Sequence, residues 1–182
     1  FLRADDLARV PAGVVETPPL RGRYRDLEVL SLPAPGGGGV VLETLHILQT
    51  FPPELLSGAE WARAQLLVEA VRIALADERG VPVEGEVADG PDQSRRLGAA
   101  LARERAGLIR LGRALEEARL PKGALPVAFS DRDTTHLAVV DREGNAVSLT
   151  QSLGRTWGAT HVTPGLGFPH NAFLEGFSLG DE

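Results

Sequence analysis

Residues 135–153 place the tightest limit on what this chain can fold into: Thr-His-Leu-Ala-Val-Val, then Asp-Arg-Glu-Gly-Asn, then Ala-Val-Ser-Leu-Thr-Gln-Ser-Leu. Two β-prone runs joined by a short polar segment with a glycine read as an antiparallel hairpin. Gly144 falls where the turn needs a positive φ. Strand alternation puts Leu137 and Val139 on one face and Ala138 and Val140 on the other. Both faces are then apolar, so the strand is expected to be central in a sheet and buried. Its entry, Asp133-Thr134-Thr135-His136, is polar. Threonine suits strands, so residue types alone make this edge an ordinary strand start.

The rest of the chain sets wider bounds. Its 182 residues fit one domain or a large piece of one, and 43% hydrophobic content is enough for a real core. A net charge of −6 leaves no basic surface to offset phosphate repulsion, which argues against nucleic acid. No run approaches the roughly 18 apolar residues of a membrane span. The absence of cysteine excludes thiol catalysis, disulfides and cysteine zinc sites. His46, His136, His161 and His170 show no metal-ligand spacing and read as structural or surface residues; no metal site and no cofactor is expected. The chain opens at Phe1, has no methionine and closes on Gly-Asp-Glu, as expected of a piece of a longer polypeptide.

Along the chain, Ala4–Arg9 reads as a short helix with Asp5 or Asp6 opposing the dipole at its start. Residues 24–32 alternate as a half-buried strand does. Pro33 to Gly39 and a helix over about 40–51 follow. Strand, glycine loop and helix could cradle a phosphate, but the Lys-Ser/Thr of a P-loop is missing. A tight turn that admits close backbone approach is the better reading. Residues 60–78 form the longest helical candidate, with Trp61, Ala64, Leu67, Val68, Val71 and Leu75 as its expected core face. After a loop rich in glycine and acids, a second long helix is expected over about 92–118. Its arginines, among them Arg96, Arg105 and Arg113, alternate with glutamates as on a solvated face.

The stretch Asp133–Leu153 resembles the start of the small subunit in the gamma-glutamyltransferase (gamma-glutamyltranspeptidase) family of N-terminal-nucleophile hydrolases. Further segments are similar in the right order: ADDLARV at 4–10, LPAPGGGGVVLETLHIL at 32–48, LLVEAVRIALADERG at 66–80 and WGATHVTPGLGF at 157–168. The resemblance implies an α+β fold, the Ntn-hydrolase four-layer α/β/β/α sandwich, of which this chain would be the central portion. Residues 1–133 would be the C-terminal part of the large-subunit-like region and 134–182 the start of the small-subunit-like region, together one domain.

The resemblance also implies a chemistry. Thr134 matches the family nucleophile, whose hydroxyl attacks the carbonyl of Asp133 and breaks the chain between them. The freed α-amine, with a reference pKa of about 7.7–8.0, then serves as general base for its own hydroxyl. Ser152 matches a second hydroxyl residue that hydrogen-bonds the nucleophile, while Thr135 and His136 match motif residues with a supporting role. Three candidate substrate-binding positions depart from the transpeptidase pattern. Gly154 stands where the family has asparagine, and Phe173 replaces an amide or acid. Gly176 replaces an aspartate, for which Glu175 could stand in. Loss of those partners for a substrate ammonium group, worth about 1.5–3 kcal/mol each, points to the acylase-like branch. The implied substrate is a small-molecule amide or γ-glutamyl compound. The implied partners are the remaining segments of a parent protein or a second copy of the chain, in a periplasmic or secreted setting. An acylase with an apolar pocket near Phe173 and Trp157 and a non-catalytic homologue are the alternatives. The family's oxyanion-hole segment has no counterpart here, so the chain by itself is expected to be inactive.

Overall fold

The helix expected over Glu60–Glu78 is present with those bounds in the computed structural model, which describes residues 3–9, 16–33, 36–78, 96–121 and 134–172. In chain order the elements are α1 (Ala4–Arg9), β1 (Leu20–Tyr24), β2 (Leu27–Ser31), α2 (Gly38–Leu48), α3 (Pro53–Ser57), α4 (Glu60–Glu78), α5 (Ala99–Ala106), a 3-10 turn at Glu117–Arg119, β3 (Thr134–Val140) and β4 (Ala146–Ser152). The mixture is α+β. The chain divides into two compact units, Val15–Pro126 and a second built from Phe1–Val14 and Val127–Glu182.

In the first unit, Leu66, Ala70 and Ile73 of α4 pack with Ile47 and Leu48 of α2 and with Ile109 and Leu115. The face of α4 that is buried is not the expected one. Trp61 is 60% exposed and Leu67 and Val68 are also exposed, whereas Ala62, Leu66, Ala70, Ile73 and Ala74 are buried. The helix carries two apolar stripes, and small alanines let the second approach α2 closely. Glu69 sits on that stripe because its carboxylate has work inside: it accepts the Leu115 N–H at 2.8 Å and pairs with Arg72 at 2.7 Å. Leu66 has no exposed surface, so Leu66→Ala is expected to cost about 2–5 kcal/mol in urea denaturation.

Among the described residues the helix expected over 92–118 is broken: Arg96 and α5 are helical, and residues 107–116 are not. Gly107 caps α5, and Gly112 takes φ +79° in the turn that follows, where Gln65 accepts its N–H. The arginines read as solvated also divide. Arg96 donates to Glu43 at 2.9 Å and to Glu78, and Arg105 makes a two-pronged pair with Asp77 at 2.8 and 2.9 Å. Glu43 is 1% exposed. Burial, reinforced by the adjacent Asp77 carboxyl and opposed by Arg96, pushes its pKa up to about 8. Its Oε1 has no hydrogen-bond acceptor role filled, which a protonated carboxyl facing Asp77 would account for.

The strand expected over 24–32 is a hairpin, β1 paired antiparallel with β2 from Leu20↔Ser31 to Tyr24↔Leu27. Arg25, at φ +57°, turns the corner, with its N–H on Gln49. The glycine loop is the close approach it was expected to be. A Cβ on Gly38 would stand 2.0 Å from the Leu32 carbonyl oxygen and 2.7 Å from Ser31 Oγ.

In the second unit the hairpin β3–β4 has the expected turn. Gly144 takes φ +87°, and Asn145 donates side-chain and backbone N–H groups to Asp141, holding that carboxyl below its usual range. It is a ribbon of two strands among the described residues, with nearly every residue exposed (Val140 is 68% exposed). The expected central, buried strand is therefore not found. Leu137, Val139, Val147 and Leu149 are the residue types of a covered face, but no second layer of described residues lies on them.

Candidate active site

Hairpin register builds the site. Once the turn over 141–145 makes Val140 face Ala146, counting back along both strands brings Thr134 opposite Ser152. Thr134 Oγ1 donates to Ser152 Oγ at 3.1 Å, and Ser152 Oγ also accepts the backbone N–H of Gly154 at 3.1 Å. One step in on the same face, His136 Nδ1 lies 2.8 Å from Thr150 Oγ1, and Nε2 lies 3.3 Å from Ser148 Oγ. This face is thus a polar row that becomes apolar only near the turn, at Ala138, Val140 and Ala146. The other carries Leu137, Val139, Val147 and Leu149. The reading of both faces as apolar is corrected to one.

Beyond β4 the chain folds back on itself. Val162 bridges Pro169, His170 exchanges backbone hydrogen bonds with His161 and Ala159, and the Ala172 N–H returns to the Leu153 carbonyl at 2.8 Å. Thr163 Oγ1 meets His170 Nε2 at 2.8 Å, and the His161 and His170 rings stack at 5.4 Å. A cavity of about 400 Å³ opens at the end of the hairpin, walled by Thr135, Gln151, Ser152, Leu153, Arg155 and Phe168 among others. Trp157, expected beside an apolar pocket, is 72% exposed and is not among its walls.

The structure thus brings Thr134 and Ser152 together, with Gly154 one bond away. Asp133, Phe173 and Glu175 lie outside the described residues. Gln151, Arg155 and Phe168 were not anticipated as walls of a cavity. Gln151 follows from its pairing with Thr135 once the register is known, but nothing in the local pattern marks Arg155 or Phe168. Among the described residues no group of three or more acidic or histidine side chains could hold a metal ion, and no helix is long and apolar enough to cross a membrane. A second cavity of about 360 Å³ lies in the other unit, beside Gly22, His46 and Leu97. Burial lowers the His46 pKa, opposed by hydrogen bonds to the Leu97 and Arg23 backbone.

Of the two hydroxyl residues, Ser152 lines the cavity and Thr134 stands across the hairpin from it. The family model for gamma-glutamyltranspeptidase matches residues 1–181, and the chain belongs to that family. Among curated relatives, the acylase ACY 1 proenzyme of Pseudomonas sp. (strain V22) is 34% identical over 87% of this chain and 28% of its own length. The glutathione hydrolase proenzyme of Escherichia coli (strain K12) is 31% identical over 98% of this chain and 30% of its own length. The chain thus spans less than a third of the relatives it matches. The crystal structure of Helicobacter pylori gamma-glutamyltranspeptidase superposes with a TM-score of 0.50 and 19% identity over 62% of this chain and 32% of that one, a likeness of fold alone.

Proposed function

We propose that this chain is the nucleophile-bearing part of an autoprocessing amidohydrolase or acyltransferase, with Thr134 as nucleophile and Ser152 as its hydrogen-bond partner. The supporting observation is the 3.1 Å contact between their hydroxyls at the open end of the hairpin. In the precursor, Thr134 Oγ attacks the Asp133 carbonyl carbon, the peptide bond to the Thr134 nitrogen breaks, and an ester forms. Water cleaves the ester, leaving the Asp133 carboxylate and a free Thr134 α-amine. In turnover the α-amine takes the hydroxyl proton as Oγ attacks a substrate amide and passes it to the leaving amine. Water or an acceptor amine then releases the acyl group. In this reading residues 1–133 and 134–182 belong to large- and small-subunit-like regions of a four-layer α/β/β/α sandwich, and the exposed faces of β3–β4 are those its other layers cover.

A specific observation favours an acylase over a strict γ-glutamyl enzyme. Gly154, beside Ser152, offers a substrate no side chain, and relatives at 34% and 33% identity are named acylase proenzymes. The complete polypeptide, offered a γ-glutamyl anilide and a simple acyl anilide, is expected to hydrolyse the acyl anilide at least as well. Strong preference for the γ-glutamyl compound would reverse the specificity, and indifference to both after chain cleavage would remove the enzyme reading.

A further inference from the structure

We infer that Gly154 is a positioning residue, acting on the nucleophile through Ser152 by its backbone N–H. This rests on the reading of Thr134 as nucleophile. Ser152 Oγ accepts two hydrogen bonds, from Thr134 Oγ1 and from Gly154 N, each at 3.1 Å. A hydroxyl has two acceptor lone pairs, and these two bonds fill both. A serine side chain has three staggered wells open to it. The Gly154 N–H selects one of them, the well in which Ser152 Oγ stands ready for Thr134.

Gly154 takes φ +82° and is buried directly after β4. The Leu153–Gly154 peptide is held from both sides, its N–H on Ser152 Oγ and its carbonyl accepting the Ala172 N–H, and the left-handed φ turns the chain that follows. Other L-residues reach this region at a cost that glycine does not incur. Glycine here is therefore more than a lost substrate contact. Its backbone supplies order to the hydroxyl pair, and the chain beyond it is held by the Ala172 N–H on the Leu153 carbonyl.

The test is a double-mutant cycle in the complete polypeptide, read as the rate at which the fragment beginning at Thr134 appears, with thermal melting to verify folding. Gly154→Ala is expected to slow cleavage about 10–100-fold, the scale of a misplaced catalytic group. Ser152→Ala should slow it similarly, and the double variant no further, because both changes remove one interaction. Multiplying effects, or a Gly154→Ala chain that cleaves at the normal rate, would overturn the inference. Cleavage that persists in Thr134→Ala would instead sink the nucleophile reading. Whether or not the chain cleaves, Gly154 amide exchange followed by NMR should be about tenfold faster in Ser152→Ala; an unchanged rate contradicts the contact.

Discussion

Replacing Thr134 with alanine is expected to leave the Asp133–Thr134 bond intact and to lower amide hydrolysis by the complete polypeptide at least about a thousandfold, the scale of losing a covalent nucleophile. The physical reason is that in the proposed mechanism one side chain serves two reactions. The same Oγ that donates to Ser152 at 3.1 Å must attack its own backbone first and a substrate amide afterwards. Thr134→Ser keeps the hydroxyl and the N-terminal amine, so it should restore both reactions to within about tenfold of wild type. An alanine variant that retains turnover would place the nucleophile elsewhere. A serine variant as inert as alanine would mean that the threonine methyl, and with it strand packing, matters more than the hydroxyl.

The second large effect concerns stability. Glu43 is pushed from 4.5 to about 8 in the folded chain, first by burial and then by Asp77, with Arg96 pulling the other way. Between those pH values the folded state holds a proton that the unfolded chain has released. The stability from this group is therefore full below about pH 4.5 and is lost as pH rises through about 8. Glu43→Gln keeps the shape, still accepts from Arg96 and donates to Asp77 without needing a proton from solvent. It should be more stable than wild type at pH 7.5 by about 1–4 kcal/mol, with the advantage shrinking towards pH 4.5. Urea denaturation at four or five pH values reads this directly. Parallel curves for the two proteins would show that Glu43 is ionised in the fold.

How much of this was legible before the structure depends on the range of the interaction. α1, α4 and the β3–β4 hairpin follow from local signals: acidic first turns, apolar periodicity, and a glycine between two β-prone runs. The buried face of α4 did not, because both stripes are apolar and only the neighbour chooses between them. Arg96 and Arg105 look like surface charges in sequence since their partners Glu43 and Asp77 lie 53 and 28 residues away. β1 was missed because Leu-Arg-Gly-Arg-Tyr has a strand's alternation with little apolar weight, and pairing with β2 supplies the rest. In the candidate site, Thr134 and Ser152 were legible as a pair by family resemblance, and the hairpin register sets them opposite each other. The third partner, a backbone N–H, leaves no mark in residue types. It is revealed by the 3.1 Å hydrogen bond from Gly154 to Ser152 Oγ.

The central claim is that the Asp133–Thr134 bond breaks to make Thr134 an N-terminus. Intact-mass analysis of the purified complete polypeptide, with N-terminal sequencing of any smaller species, measures this without a substrate. The account predicts a fragment whose first residue is Thr134 and its complement ending at Asp133. A single uncut chain persisting after long incubation at neutral pH would contradict it.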